Sequence, residues 1–186
     1  QLKTILIILG AILLAGLLLI GKIISGYNNV IAMDENVKGK WAQVENQLKR
    51  RYDLIPNLVE TVKSNAKHEK ELFEHIAEAR TKYFQADNVA GKIDASNRLE
   101  GALSRLLLLQ ERYPDLKANE SFLKLQDSLE GTENRINVAR QRFNQAAEEF
   151  NSMIRSFPNS VTNSLLLHLK RKEYIKADEA AKAAPK

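Results

Sequence analysis

The chain of 186 residues sets 28 Lys and Arg against 23 Asp and Glu, a net charge of +5, with only 8 Gly, 4 Pro and no Cys. The lack of cysteine excludes disulfides, thiolate zinc sites and cysteine nucleophiles. Acids and bases interleave, which argues against the concentrated basic stripe of a nucleic-acid binder. Ala, Leu, Glu, Lys, Arg and Gln dominate after residue 26, so the expected fold class is all-α: a single N-terminal transmembrane helix followed by an antiparallel bundle of long helices.

Residues 4–21 carry no charge and are nearly all Ile, Leu, Ala or Gly, with Thr4, Ile8, Leu13, Leu17 and Gly21 marking the extent of the run. About 20 such residues at ~1.5 Å rise cross the ~30 Å hydrocarbon layer, so this is a membrane anchor by length and composition. The run exceeds the apolar region of a signal peptide and is followed by Tyr27, Asn28 and Asn29 rather than a small-residue cleavage site, so an uncleaved anchor is expected. The numbering starts at Gln1, and an initiator Met or short leader is expected before it. Lys3 precedes the run, whereas Lys22, Lys38, Lys40, Lys49, Arg50 and Arg51 follow it; this balance favours a cytoplasmic C-terminal domain. Gly10, Ala11, Ala15 and Gly16 give the span a small-residue face on which helices can pack.

An apolar stripe follows, through Val37, Trp41, Val44, Leu48, Tyr52, Ile55, Val59, Val62 and Ala66, then Phe73 and Ile76. Its steps of three and four predict helices over residues 27–54 and 57–86, the first running straight out of the membrane. The stripe keeps phase across Pro56, which either kinks one helix or breaks it; in the second case Asp53 caps the new helix. The bundle is therefore four-helix, or three-helix if Pro56 only kinks. Asp87 to Asn97 reads as a turn, with Asp94 or Ser96 capping a helix over 94–112 that Tyr113-Pro114-Asp115 ends.

Phe122, Leu129, Ile136, Phe143, Phe150 and Phe157 recur every seven residues, with Leu125, Thr132, Ala139, Ala146 and Met153 filling the second heptad column. This predicts a helix over 119–157, capped by Asn119 or Ser121 and ended by Pro158, with coiled-coil-like packing. Asn137, Asn144 and Asn151 flank the column, as a solvated edge or as register-fixing hydrogen bonders. Beyond it, residues 165–169 form a short apolar patch, Lys170-Arg171-Lys172 a basic cluster, and the Ala-rich end is expected to be disordered. The patch is too short to span a membrane; it folds back on the bundle, docks on a neighbour or lies on lipid. The expected domains are an anchor (1–26), a bundle (27–158) and a tail (159–186).

Little in the chain points to a reaction. His68 and His75 are seven apart, which fits neither a zincin pair nor a di-iron Glu-x-x-His motif. Glu71, Glu74 and Glu78 share a helix face with Lys67, Lys70 and Lys82, the pattern of a solvated surface. Phosphate loops, nucleophile elbows and kinase signatures are absent from the sequence. We therefore expect no catalytic residue, no cofactor and no metal.

Several segments in order resemble the LemA family: Tyr27-Asn28, Trp41, Arg50-Arg51, Asp53-Leu54-Ile55-Pro56-Asn57-Leu58-Val59, Thr61-Val62-Lys63, His68-Glu69 and Ala79-Arg80. So do Leu103-Ser104-Arg105-Leu106, Glu111-Arg112-Tyr113-Pro114-Asp115-Leu116-Lys117-Ala118, Leu125-Gln126, Glu133-Asn134, Phe143-Asn144, Asn151 and Phe157-Pro158. Phe143 stands where the family often has Tyr. The resemblance implies a bacterial membrane protein with one N-terminal span, a helical bundle and no agreed enzymatic activity. It also implies that Trp41, Arg50, Arg51, Asp53, Pro56, Asn57, Asn134, Asn144 and Asn151 form a packing or interface network. The expected function is a non-enzymatic scaffold, self-associating at the bacterial membrane, inner where there are two. The alternative is an adaptor or regulator of another membrane protein, such as a protease or stress sensor. The partners expected are membrane lipid, further copies of the chain and a membrane protein, with no nucleic acid.

Overall fold

The computed structural model describes residues 1–176, and among these every regular element is helical. The elements are α1 (Leu2–Asn65), α2 (Lys70–Gln85), α3 (Val89–Arg112), α4 (Pro114–Lys117), α5 (Glu120–Met153) and α6 (Asn159–Thr162), followed by a π-helical turn, Asn163–Leu167. The Ala-rich end expected to be disordered lies outside the described residues. Contacts cluster into two units: Gln1–Ala42 with Gln141–Tyr174, and Gln43–Arg140 with Ile175.

Pro56 lies inside α1, which runs on to Asn65. Its ring removes one rung of the helix ladder. Pro56 itself is on the exposed side, while Tyr52, Ile55 and Leu58 stay buried around it and hold the phase. The helix expected over 57–86 is instead divided at residues 66–69, where the stripe skips from Ala66 to Phe73 and no large apolar group supports the turn between. Glu69 in that turn accepts from Arg112 Nη1 at 3.0 Å and Tyr113 Oη at 3.4 Å.

In the second unit, α2 buries Phe73, Ile76, Ala79 and Tyr83 and packs on α3, which buries Leu99, Leu103, Leu106 and Leu109. The cap of α3 is Asn88, whose side chain accepts from the Gly91 amide at 2.7 Å; Ser96, one of the caps expected from sequence, is buried inside the helix. A type-independent reason explains the shift: an Asn side chain three residues ahead of an amide satisfies an orphan donor sooner than Asp94 does. Asn119 Oδ1 accepts from the Phe122 amide at 3.1 Å, as expected for the start of α5.

In the first unit, Val30 and Val37 of α1 are buried, as are Phe143, Ala146, Ala147 and Phe150 of α5, with Trp41 edge-on to Phe143 at 5.8 Å. The first heptad column is buried from Phe122 to Phe150 and the second from Thr132 to Ala146, with Leu125 half-buried, but α5 stops at Met153, four residues earlier than predicted from Pro158. Phe157 therefore leaves the column and is 84% exposed. Apart from half-exposed Gly16, residues 2–24 of α1 are exposed, so their apolar side chains meet nothing among the described residues.

Candidate functional site

Two polar centres interrupt the apolar packing, one in each unit. In the second unit Arg51 follows Leu48 by three residues and precedes Ile55 by four, so helical periodicity puts a cation on the buried stripe of α1. A buried charge needs a counter-charge close by. Arg51 ion-pairs with Glu133 of α5, and its Nη1 lies 4.0 Å from Glu100 Oε2 of α3. Arg140 Nη1 lies 3.9 Å from the same Glu100 oxygen, and its Nη2 donates to Ser96 Oγ at 3.3 Å and Asn97 Oδ1 at 3.4 Å. Two cations and two anions from three helices thus form a neutral cluster. Burial pulls the Arg51 guanidinium below its ordinary range, Glu100 raises it and neighbouring Arg140 lowers it further. Guanidinium basicity is high enough that the group stays charged.

Beside this cluster Tyr52 stacks on Tyr83 with centroids 4.1 Å apart. Burial pushes the Tyr83 hydroxyl up to about 12, with Glu45 adding to it, and burial raises Tyr52 as well. Both hydroxyls therefore stay protonated near neutrality. Neither finds a hydrogen-bond partner among the described residues.

The first unit uses neutral groups for a similar purpose. The Asn151 side chain donates to the Lys172 carbonyl at 2.9 Å and accepts from the Lys172 amide at 2.7 Å. Asn163 treats Leu169 the same way, donating at 3.1 Å and accepting at 3.0 Å. Two side-chain amides thereby stand in for a neighbouring strand and tie down a segment that has no regular structure of its own. Lys172 Nζ reaches Asp34 Oδ1 at 2.5 Å, and Lys38 Nζ reaches Asp34 Oδ2 at 2.9 Å. Burial raises the Asp34 carboxyl, but the hydrogen bonds from Lys172 and Lys38 outweigh it and hold it below its ordinary value.

Of the residues singled out from sequence, Arg51 and Asn151 are buried at these centres and Trp41 packs on Phe143. Arg50, Asp53, Pro56, Asn57 and Asn134 are exposed, and Asn144 is half-buried. Glu100, Glu133, Arg140 and Lys172 are the partners that the network reading did not name. Thr4, Ile8, Leu13, Leu17 and Gly21 are all exposed on α1. His75 lines a shallow groove of about 320 Å³ with Leu72, Arg105, Leu109 and Arg112. Among the described residues no three His, Asp or Glu side chains gather to hold a metal ion. The carboxylates at both centres are committed to cations, an arrangement that holds helices and a chain segment in place.

Comparison with known proteins gives this architecture a context. Residues 40–186 match the family model described as LemA family. Magnetosome protein MamQ 1 and MamQ 2 of Paramagnetospirillum magneticum are each 25% identical over 143 residues, covering 63% of this chain and 53% of the relative. Magnetosome protein MamQ of Magnetospirillum gryphiswaldense is 26% identical over 136 residues, covering 59% of this chain and 50% of the relative. The chain thus spans about half the length of the curated relatives it matches. Neither the family description nor the relatives' names specify a reaction.

Proposed function

The chain belongs to the LemA family, and from that premise we propose that it is a non-enzymatic scaffold, anchored in a bacterial membrane and self-associating there. One observation carries the reading. The apolar, fully exposed stretch of α1 passes without a helical break into the stripe that buries Val30, Val37, Val44 and Leu48. The described residues contain one helix long and apolar enough to cross a membrane, and this is it. A helix apolar on every side is stable only with an apolar surround, and lipid provides one.

In this proposal residues 1–26 anchor the chain, residues 27–158 form an antiparallel bundle with heptad packing, and residues 159–186 form a tail. The basic residues after the span favour a cytoplasmic bundle. Gly10, Gly16 and Gly21 have open space around them, so a second span can approach closely. Light scattering on the full chain in mild detergent tests self-association. The proposal expects a particle mass that is a multiple of the chain mass; a monomer at every concentration contradicts it.

A further inference from the structure

Resting on the anchor reading, we propose that the segment between α5 and the Asn-clamped strap is a second membrane contact, a wedge that lies in the headgroup layer of the same bilayer. It exposes four large apolar side chains among Arg155, Ser156, Ser164 and His168: Phe157 is 84% exposed, Val161 43%, Leu165 68% and Leu166 57%. A soluble turn of this length normally hides such groups or does without them.

The occupant follows from where the segment is fastened. A Cβ at Gly26 would lie 2.9 Å from Asn159 Oδ1 and 3.3 Å from Thr162 Oγ1, so α6 rests directly on α1 at this glycine. Gly26 is two residues past Ile24, about 3 Å along a helix axis. Ile24 ends the apolar run and is itself 54% exposed. The strap that follows leads the other way, because Lys172 is held by Asp34, eight residues further along α1. The α6 region is therefore fixed at the level where the span leaves the hydrocarbon. Tyr27, 40% exposed at the same level, has the amphipathic character of interfacial aromatic residues.

Charge completes the match. Lys22, Lys170 and Arg171 are exposed, while Lys172 is engaged by Asp34, and Glu173 is the one acid in that short run. Apolar side chains beside exposed cations suit a surface with acyl chains under anionic headgroups.

The chain has no native cysteine, so single reporters can be placed at will. Full-length variants Leu166→Cys, Leu13→Cys and Leu108→Cys are labelled with nitrobenzoxadiazole and reconstituted in phosphatidylcholine–phosphatidylglycerol vesicles. Nitroxide lipids with shallow or deep spin labels then report depth. The wedge predicts strong shallow quenching at position 166, deep quenching at 13 and neither at 108. It also predicts loss of quenching at 166 when Lys170 and Arg171 are both changed to Glu. Quenching at 13 with none at 166 overturns the wedge and leaves the anchor standing. A reporter at 166 shielded from aqueous iodide yet untouched by nitroxide lipid means that protein covers it, which also overturns the wedge. Absence of quenching at 13 removes the anchor reading and the wedge with it.

Discussion

The two halves of α1 make different use of the same backbone. From Thr4 to Gly21 no side chain is charged, apolar groups lie on every side, and none is buried in the chain's own packing. From Val30 to Val62 the apolar residues keep to one stripe, and Val30, Val44, Leu48, Tyr52, Leu58 and Val62 are at 0% exposure. Helix propensity does not separate the halves; the distribution of apolar surface does. The first half can be satisfied only from outside the chain, the second from within it. Five perturbations test that contrast.

The largest effect is expected at Arg51. Changing it to Ala leaves Glu100 and Glu133 short of a counter-charge and costs about 3–5 kcal/mol, the range for breaking one side of a buried pair. Urea unfolding of the full chain in detergent, followed by helical dichroism, reads this loss, while membrane retention stays unchanged. A Met at the same position combined with Glu133→Gln, which leaves the Arg140–Glu100 pair intact and the cluster neutral, is expected to recover most of it.

Leu13→Arg acts on the other half. An Arg near the centre of a span costs roughly 3 kcal/mol of insertion free energy. The expected result is a smaller membrane-bound fraction with an unaltered urea midpoint for the helices beyond the span. A midpoint that moved with insertion would erase the distinction between the halves.

Pro56→Ala is expected to stabilise by about 2 kcal/mol, since Pro costs ~3 kcal/mol against Ala within a helix and ~1 kcal/mol is lost through a freer unfolded chain. A rise in the urea midpoint checks it. Asn151→Ala removes both hydrogen bonds to Lys172 and is expected to cost about 1–2 kcal/mol. Faster proteolysis after Lys170 and Arg171 reads the released strap directly.

The smallest effect is a pH dependence. The folded Asp34 carboxyl is held below its ordinary value by Lys172 and Lys38 against the opposing push of burial. Its contribution is present above the ordinary carboxylate range and is lost as pH falls through the lowered folded value. Asp34→Asn is therefore expected to flatten the acid limb of the stability profile, measured by urea midpoints between neutral pH and about 3.

The sequence made the anchor and the stripe readable because both are bulk patterns, visible in residues that are neighbours along the chain. Asn151 stood out beside the heptad column, and Arg51 through the family resemblance. Their partners did not, for a physical reason: Glu100, Glu133 and Arg140 come from other helices, and long-range pairing leaves no periodic trace. Asn151 is satisfied by the backbone of Lys172, a contact to which that residue's identity contributes nothing. The division at residues 66–69 was visible only as a missing stripe residue, a weaker signal than the Pro56 that drew attention and left α1 continuous.

The central claim is that the exposed half of α1 lives in lipid, and alkaline carbonate washing of vesicles bearing the full chain tests it most directly. The account predicts that the intact chain stays with the membrane pellet. Release of the intact chain into the supernatant contradicts it.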